Sequence, residues 1–227
     1  FIMSKNASLA GPVSQKKETL FAHHWNDYLK FFDFKYRDIY FTEEYVKLYE
    51  SKDNEAECFI YQEKENILLF PFLKRKVALQ SAENCFDFET PYGYGGPIAN
   101  TTDADFIRQA LKAFCAGAKE NGLIAGFMRL HPLLNNHEML VDYCEVTFSR
   151  KTVAMNLEFT KDDIWNQQIH PKHRNKIRIA QKKGLVYTID KDLKNLGLFV
   201  KMYQATLNKL KASQFYFFDE EYFDRIR

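Results

Sequence analysis

Residues 56–76 read AECFIYQEKENILLFPFLKRK, and the period of this stretch decides the fold. Ala56 to Gln62 alternates with the period of a strand, and Lys64, Glu65 and Asn66 make a polar, turn-like break. Ile67 to Leu73 is then an unbroken apolar run, closed by charge at Lys74 to Lys76. A short run of that kind between turn signals is a strand covered on both faces, so the stretch predicts a hairpin inside a sheet. Pro71 has no N–H to give to a ladder, which predicts a bulge or an edge position at that point.

Toward the N-terminus, a helical pattern from Thr19 sets Phe21, Trp25, Tyr28 and Phe32 on one face. Thr42 can cap a second helix that turns Tyr45, Val46 and Tyr49 inward and leaves Lys47 at the surface. Residues 1–16 are small and polar, with Gly11 and Pro12, and predict a loose leader. Toward the C-terminus, Cys85 to Phe88 alternates and runs into PYGYGGP, Pro91 to Pro97. Thr101 or Thr102 caps a helix through Phe106, Ala110, Phe114 and Ala118 that ends at Gly122. Strands are predicted at Leu123–Leu130, Val141–Phe148, Thr152–Phe159 and Leu185–Ile189. Thr160 and Asp163 form a capping box for a helix holding Ile164 and Trp165. Leu193, Leu196, Val200, Tyr203, Leu207 and Leu210 mark the longest helix by their alternating spacing, and Glu220 to Ile226 adds a short one.

This order is mixed α/β. It predicts a leader over 1–16, a first domain over 17–150 and, over 151–227, a second domain of similar plan that is begun and not completed.

The remaining signals narrow the class. In 227 residues, 46% hydrophobic and 16% aromatic content can build a core, and the net charge of +2 is too small for nucleic-acid binding by bulk electrostatics. No apolar run reaches the roughly 20 residues needed to cross a bilayer, and the first residues lack the apolar centre of a signal peptide. The expected location is cytoplasmic. Cys58, Cys85, Cys115 and Cys144 are evenly spread without a C-x-x-C, as core residues of a reducing compartment would be. His170 and His173 have no carboxylate or thiolate pattern beside them, so no metal is expected.

Two stretches carry candidate chemistry. In PYGYGGP, three glycines and two prolines force unusual dihedrals, small residues let a ligand lie against the main chain, and Tyr92 and Tyr94 offer rings and hydroxyls there. The plainer reading is a structural turn with tyrosines packed on it. The second stretch is HPKHRNKIRIAQKKG, His170 to Gly184, a short helix opened by Pro171 and stopped by Gly184. His173, Ile177 and Ala180 form its packing face, and Arg174 and Arg178 stack one turn apart beside that face. Their planar forks suit phosphate or carboxylate groups. The plainer reading is a solvated basic face. Asp87 and His131 are candidates for a general base, and no Ser or Cys has the surroundings of a covalent nucleophile.

The phrases DIYFTEEYVKLYE, PYGYGGP, RLHP, TVAMNLE, KHRNKIRIAQKKG and FYFFDEEYF, in that order, together resemble the Fem-type aminoacyl transferases that build peptidoglycan cross-bridges. The wider group is the acyltransferases of the GCN5-related N-acetyltransferase (GNAT) fold. The resemblance implies two GNAT-like domains in tandem, each a mixed sheet with flanking helices, and an acceptor cleft on the first domain and at the junction. It implies a peptidoglycan precursor or another amine as acceptor, aminoacyl-tRNA or acyl-CoA as the donor, and no permanently bound cofactor. Carried over by position, it implies that Lys47, Tyr92 with Tyr94, Arg174 or Arg178, and Tyr216 bind substrate. Two departures stand out. The chain stops before the strands that complete the family's second domain. The pyrophosphate loop also needs Arg or Gln, two residues, Gly, one residue, then Gly or Ala; Gln181 and Gly184 fit, and Val186 does not.

The leading expectation is transfer of an activated acyl or aminoacyl group to an amine of a precursor-like acceptor. An acetyl-CoA-dependent N-acetyltransferase acting on another small amine is the rival within enzymes. A non-catalytic RNA-binding or scaffold module that holds tRNA on the basic helix is the rival outside them. The oligomeric state is left open by the sequence.

Overall fold

The structure, a computed structural model, describes residues 17–77 and 84–227. The leader expected over 1–16 lies outside the described residues. The chain divides into two compact units, Phe1–Thr147 and Phe148–Arg227.

The first unit is built on the predicted hairpin. Strands β2 (Asn54–Glu63) and β3 (Asn66–Lys76) pair antiparallel in unbroken register from Asn54↔Arg75 to Glu63↔Asn66, with Lys64 in a left-handed conformation at the turn. β1 (Glu18–Ala22), β4 (Phe86–Glu89), β5 (Ile98–Ala99) and β6 (Leu123–Phe127) complete a mixed sheet in the order β1-β2-β3-β4-β6, with β5 also on β3. β4 and β6 run parallel. Pro71 makes no bulge: it faces Cys58 in regular register, and on its other side falls the gap between β5, paired at Leu68–Leu69, and β4, paired from Leu73 onward. That gap gives an interior strand a local edge where a missing N–H costs no ladder bond.

Because side chains alternate along a strand, the hairpin feeds two cores. Phe59, Tyr61, Phe70 and Phe72 meet Phe106 and Phe114 of α3 (Ala104–Glu120) on one face, with the Phe70 and Phe114 rings 4.9 Å apart. Ile60, Ile67 and Leu69 meet Trp25, Phe41 and Val46 on the other, delivered by α1 (Asn26–Leu29), the 3-10 turn Ile39–Phe41 and α2 (Glu43–Lys47). Thr42 caps α2 as expected, accepting from the Tyr45 amide.

Several expectations change. The stretch from Thr19 is not one helix: Phe21 belongs to β1 and packs on the α3 face, whereas Trp25 and Phe32 pack on the opposite one. The cap of α3 is Asp103 rather than Thr101 or Thr102, because its carboxylate accepts from the amides of Asp105 and Phe106. The longest helix is α3, of 17 residues. Val141–Phe148 is turn and irregular chain after the 3-10 turn Glu138–Leu140, not a strand.

In the second unit, α4 (Lys161–Asp163) is opened by Thr160 and continues as a π-helical segment, Ile164–Gln168. α5 (Pro171–Lys182) is the basic helix. Gly184, at φ +75°, ends it with paired bonds from the Gly184 amide to the Gln181 carbonyl and from the Leu185 amide to the Ala180 carbonyl. α6 (Leu196–Leu210) begins after Leu193, and α7 (Glu220–Ile226) follows. Neither Thr152–Phe159 nor Leu185–Ile189 forms a strand, because no described segment of this unit pairs with either one. The predicted packing face of α5 is not buried here: His173 and Ile177 are exposed, and Ala180 is half-buried.

Candidate functional site

PYGYGGP leaves the sheet where the parallel strands β4 and β6 end, and backbone chemistry fastens it there. The Thr90 hydroxyl accepts from the Arg129 amide at 2.9 Å, the Thr90 amide donates to the Phe127 carbonyl, and the Gly95 amide donates to the Arg129 carbonyl. Asn136 locks the far side. Its Nδ2 donates to the carbonyls of Gly95 (2.8 Å) and Pro97 (3.2 Å), and its Oδ1 accepts from the His131 amide (3.1 Å). The glycines answer to close packing by the protein itself. At φ +100° and +90°, Gly93 and Gly96 sit where a Cβ would come within 2.5 Å of the Tyr40 ring and 2.6 Å of Leu130 Cδ2.

Around the loop stands a cluster of rings. Tyr40 packs edge-on against Tyr45 and Tyr94 at 5.1 and 5.5 Å, and the His131 ring lies 5.9 Å from Tyr40 and 5.8 Å from Tyr94. The Tyr45 hydroxyl donates to the Tyr92 carbonyl at 2.6 Å. Tyr94 is half-buried and Tyr92 is exposed. Burial chiefly, with the nearby Asp38, Tyr94 and Tyr92, pushes the Tyr40 phenol above its usual pKa, so it is a neutral donor at pH 7.

His131 is buried in this cluster. Its Nδ1 accepts from the Leu133 amide at 3.3 Å, which leaves the proton of the neutral ring on Nε2, 3.5 Å from Asp38 Oδ2. Burial lowers its pKa, partly countered by Asp38. With both nitrogens engaged, the neutral ring has no free lone pair here, so acting as the base expected at His131 would require the Leu133 amide to give up its contact. Asp87, the other expected base, is held in a two-pronged pair by Arg75, both bonds at 2.9 Å.

Lys47 lies on the side of α2 away from Tyr45 and its loop contact. Its Nζ donates to the His23 carbonyl at 2.8 Å and to Glu43 at 3.1 Å, over the Trp25 ring. Arg174, Arg178 and Tyr216 lie in the second unit. Nη1 of Arg174 donates to the carbonyls of Trp165, Asn166 and Ile169. The Arg178 guanidinium rests over the Trp165 ring, 5.4 Å from its centre. The Tyr216 carbonyl accepts from the Tyr203 hydroxyl, and its ring is partly exposed.

The structure therefore joins Tyr92, Tyr94 and His131 in one cluster and ties Asp87, Lys47 and Arg174 into local pairs. Asp38 and Tyr40 carry no expectation from the sequence, and Asn136, beside Asn135, reads there only as a loop marker. Asp38 and Tyr40 stand in DIYFTEEY, and a short acid–aromatic run ahead of a capped helix is the signal that could have found them. Among the described residues no group of three or more His, Cys, Asp or Glu is placed to hold a metal, and no helix is long and apolar enough to cross a membrane. Comparison with protein-family models, with curated proteins and with solved structures finds no match. What the site can do is read from its own atoms.

Proposed function

We propose that the protein is an acyltransferase of the GNAT-like, Fem-type plan, which moves an activated acyl or aminoacyl group onto an amine of a peptidoglycan-precursor-like acceptor. One observation carries this reading: a tyrosine-bearing glycine loop, fixed by Thr90 and Asn136, stands at the carboxyl ends of the parallel pair β4–β6 beside the His131–Asp38 pair. In open α/β sheets that is where ligands sit. A loop pinned from both sides holds its hydroxyls with little ordering cost at the moment of binding.

In the proposed reaction the lone pair of the acceptor amine attacks the acyl carbonyl carbon. The C–N bond forms, the ester or thioester bond breaks with its electron pair leaving on the donor's oxygen or sulfur, and that atom takes up the proton the nitrogen loses. Such a step asks for orientation and for donors toward the developing oxyanion, and needs no covalent nucleophile. Tyr92 and Tyr94 orient the acceptor. Within the second unit, Arg178 is freer than Arg174 to take an anionic group, since three carbonyls already claim Arg174 Nη1. The donor is aminoacyl-tRNA or acyl-CoA.

Calorimetric titration with a nucleotide-linked peptidoglycan precursor tests the reading. Binding that weakens by about tenfold in Tyr92→Ala is expected. Thermal stabilisation by acetyl-CoA with no binding of the precursor would replace it with acetyl transfer to another amine. RNA binding that falls steeply with salt, without transfer activity, would replace it with a tRNA-holding module.

A further inference from the structure

Asp38 has a charge that the protein leaves unmatched. Its side chain is only 36% exposed, and its Oδ1 accepts from the Tyr40 amide at 3.3 Å. Its Oδ2 faces His131 Nε2, and among the described residues no lysine or arginine lies within ion-pair distance of it. His131 does not supply the missing charge: its Nδ1 is an acceptor for the Leu133 amide, so the ring is neutral as it stands. The surroundings are aromatic: the His131 ring that faces Asp38 lies 5.9 Å from the Tyr40 ring and 5.8 Å from the Tyr94 ring, and those two rings stand 5.5 Å apart. A part-covered carboxylate among tyrosine rings and hydroxyls is a setting that favours a cation.

We propose that Asp38, with Tyr40 and Tyr94, forms a subsite for a primary alkylammonium group, and that His131 is a positioning residue that holds the carboxylate in place. The chemistry selects among cations. A divalent metal needs more carboxylates than the single one here. A guanidinium's planar fork takes both carboxylate oxygens along one edge, and here each oxygen already faces a protein N–H, that of Tyr40 at Oδ1 and that of His131 Nε2 at Oδ2. An ammonium needs one lone pair of a strong acceptor, which Oδ2 still supplies beside His131 Nε2, and can turn its other N–H groups to phenol oxygens or water. The subsite rests on the transferase reading for its purpose: the ammonium is the protonated form of the accepting amine, recognised before its proton leaves.

The test uses the whole chain and a probe independent of any precursor. Nα-acetyl-lysine methylamide is titrated while the ring resonances of His131, Tyr40 and Tyr94 are followed by NMR, beside the matching arginine compound and the Nε-acetylated lysine compound. Saturable shifts centred on these rings are expected for the lysine probe, with both comparison compounds at least about tenfold weaker. Asp38→Asn is expected to lose about tenfold for the lysine probe alone. Asparagine keeps the oxygen that accepts from the Tyr40 amide and is an equally good cap, giving up only the acceptor that faces His131 Nε2; an unchanged melting curve verifies that the lost affinity is not a loss of fold. No saturable binding, equal affinity for the three compounds, or full affinity in Asp38→Asn overturns the subsite. Precursor binding without lysine-probe binding would sink the subsite and spare the transferase; lysine-probe binding without precursor binding would do the reverse.

Discussion

Glu43 shows how much one carboxylate can organise. It accepts from the backbone amides of Trp25 and Asn26 at the start of α1, and from His24 and Lys47, while Asn26 Oδ1 accepts in return from the Glu43 amide. Burial alone would raise its pKa; these donors together outweigh burial and bring it from 4.5 to about 2. A carboxylate depressed on folding contributes stability that is full above its unfolded pKa. That contribution is lost as pH falls from 4.5 through about 2, and for this shift it is on the order of 2–3 kcal/mol. Urea unfolding over a pH series is expected to show that loss in the wild type and to lack it in Glu43→Gln, which is already weaker at pH 7. His131 has a separate window. Its folded pKa lies below 6.5, so its share of stability is full above 6.5 and declines as the unfolded chain takes up the proton below it. The same series in His131→Gln should flatten just below pH 6.5. Thr42 and the Thr160–Asp163 box were legible in the sequence because a cap and its amide are three residues apart. Asn136 was not, because its role is set by Gly95, 41 positions away.

At the scale of elements, the basic helix is held by an arginine more than by its apolar face. Arg174 Nη1 collects three carbonyls from the π-helical segment and its exit, the acceptors that a helix end leaves without partners. Arg174→Ala is expected to cost about 1–3 kcal/mol through those orphaned carbonyls, to lower helical far-UV signal, and to speed amide exchange from Lys161 to Lys182. Arg178→Ala, which gives up a ring contact, should do much less; equal effects would refute the structural role given to Arg174. The helix itself was legible from Pro171 and Gly184, since terminal signals are local. The stretch from Thr19 misled because Phe21, Trp25, Tyr28 and Phe32 fall at helical spacing by coincidence. A strand followed by a helical turn places Phe21 and Trp25 in different cores, which spacing alone cannot separate.

Across the whole molecule, apolar alternation was a good guide only where a second strand was present to answer it. Ile67 to Leu73 has β2 on one side and β5 and β4 on the other, and its residues are buried throughout. Val153, Met155, Leu157 and Phe159 alternate as convincingly, yet all four are exposed, and so are Leu185, Val186, Tyr187 and Ile189. Strand propensity is in large part packing against neighbours, so a pattern without a neighbour yields irregular, unpaired chain. Among residues 148–227 only Phe223 is buried, and local stability follows buried apolar contact. Hydrogen exchange across the chain should therefore resolve two classes. Amides of β2, β3 and α3 are expected to exchange only through global unfolding, while residues 152–159 and 185–189 exchange near the rate of free peptide and α5 and α6 fall between. Protection of 152–159 that grows with protein concentration would mean that a second molecule supplies the missing strand; protection independent of concentration would contradict the unpaired state described for this segment.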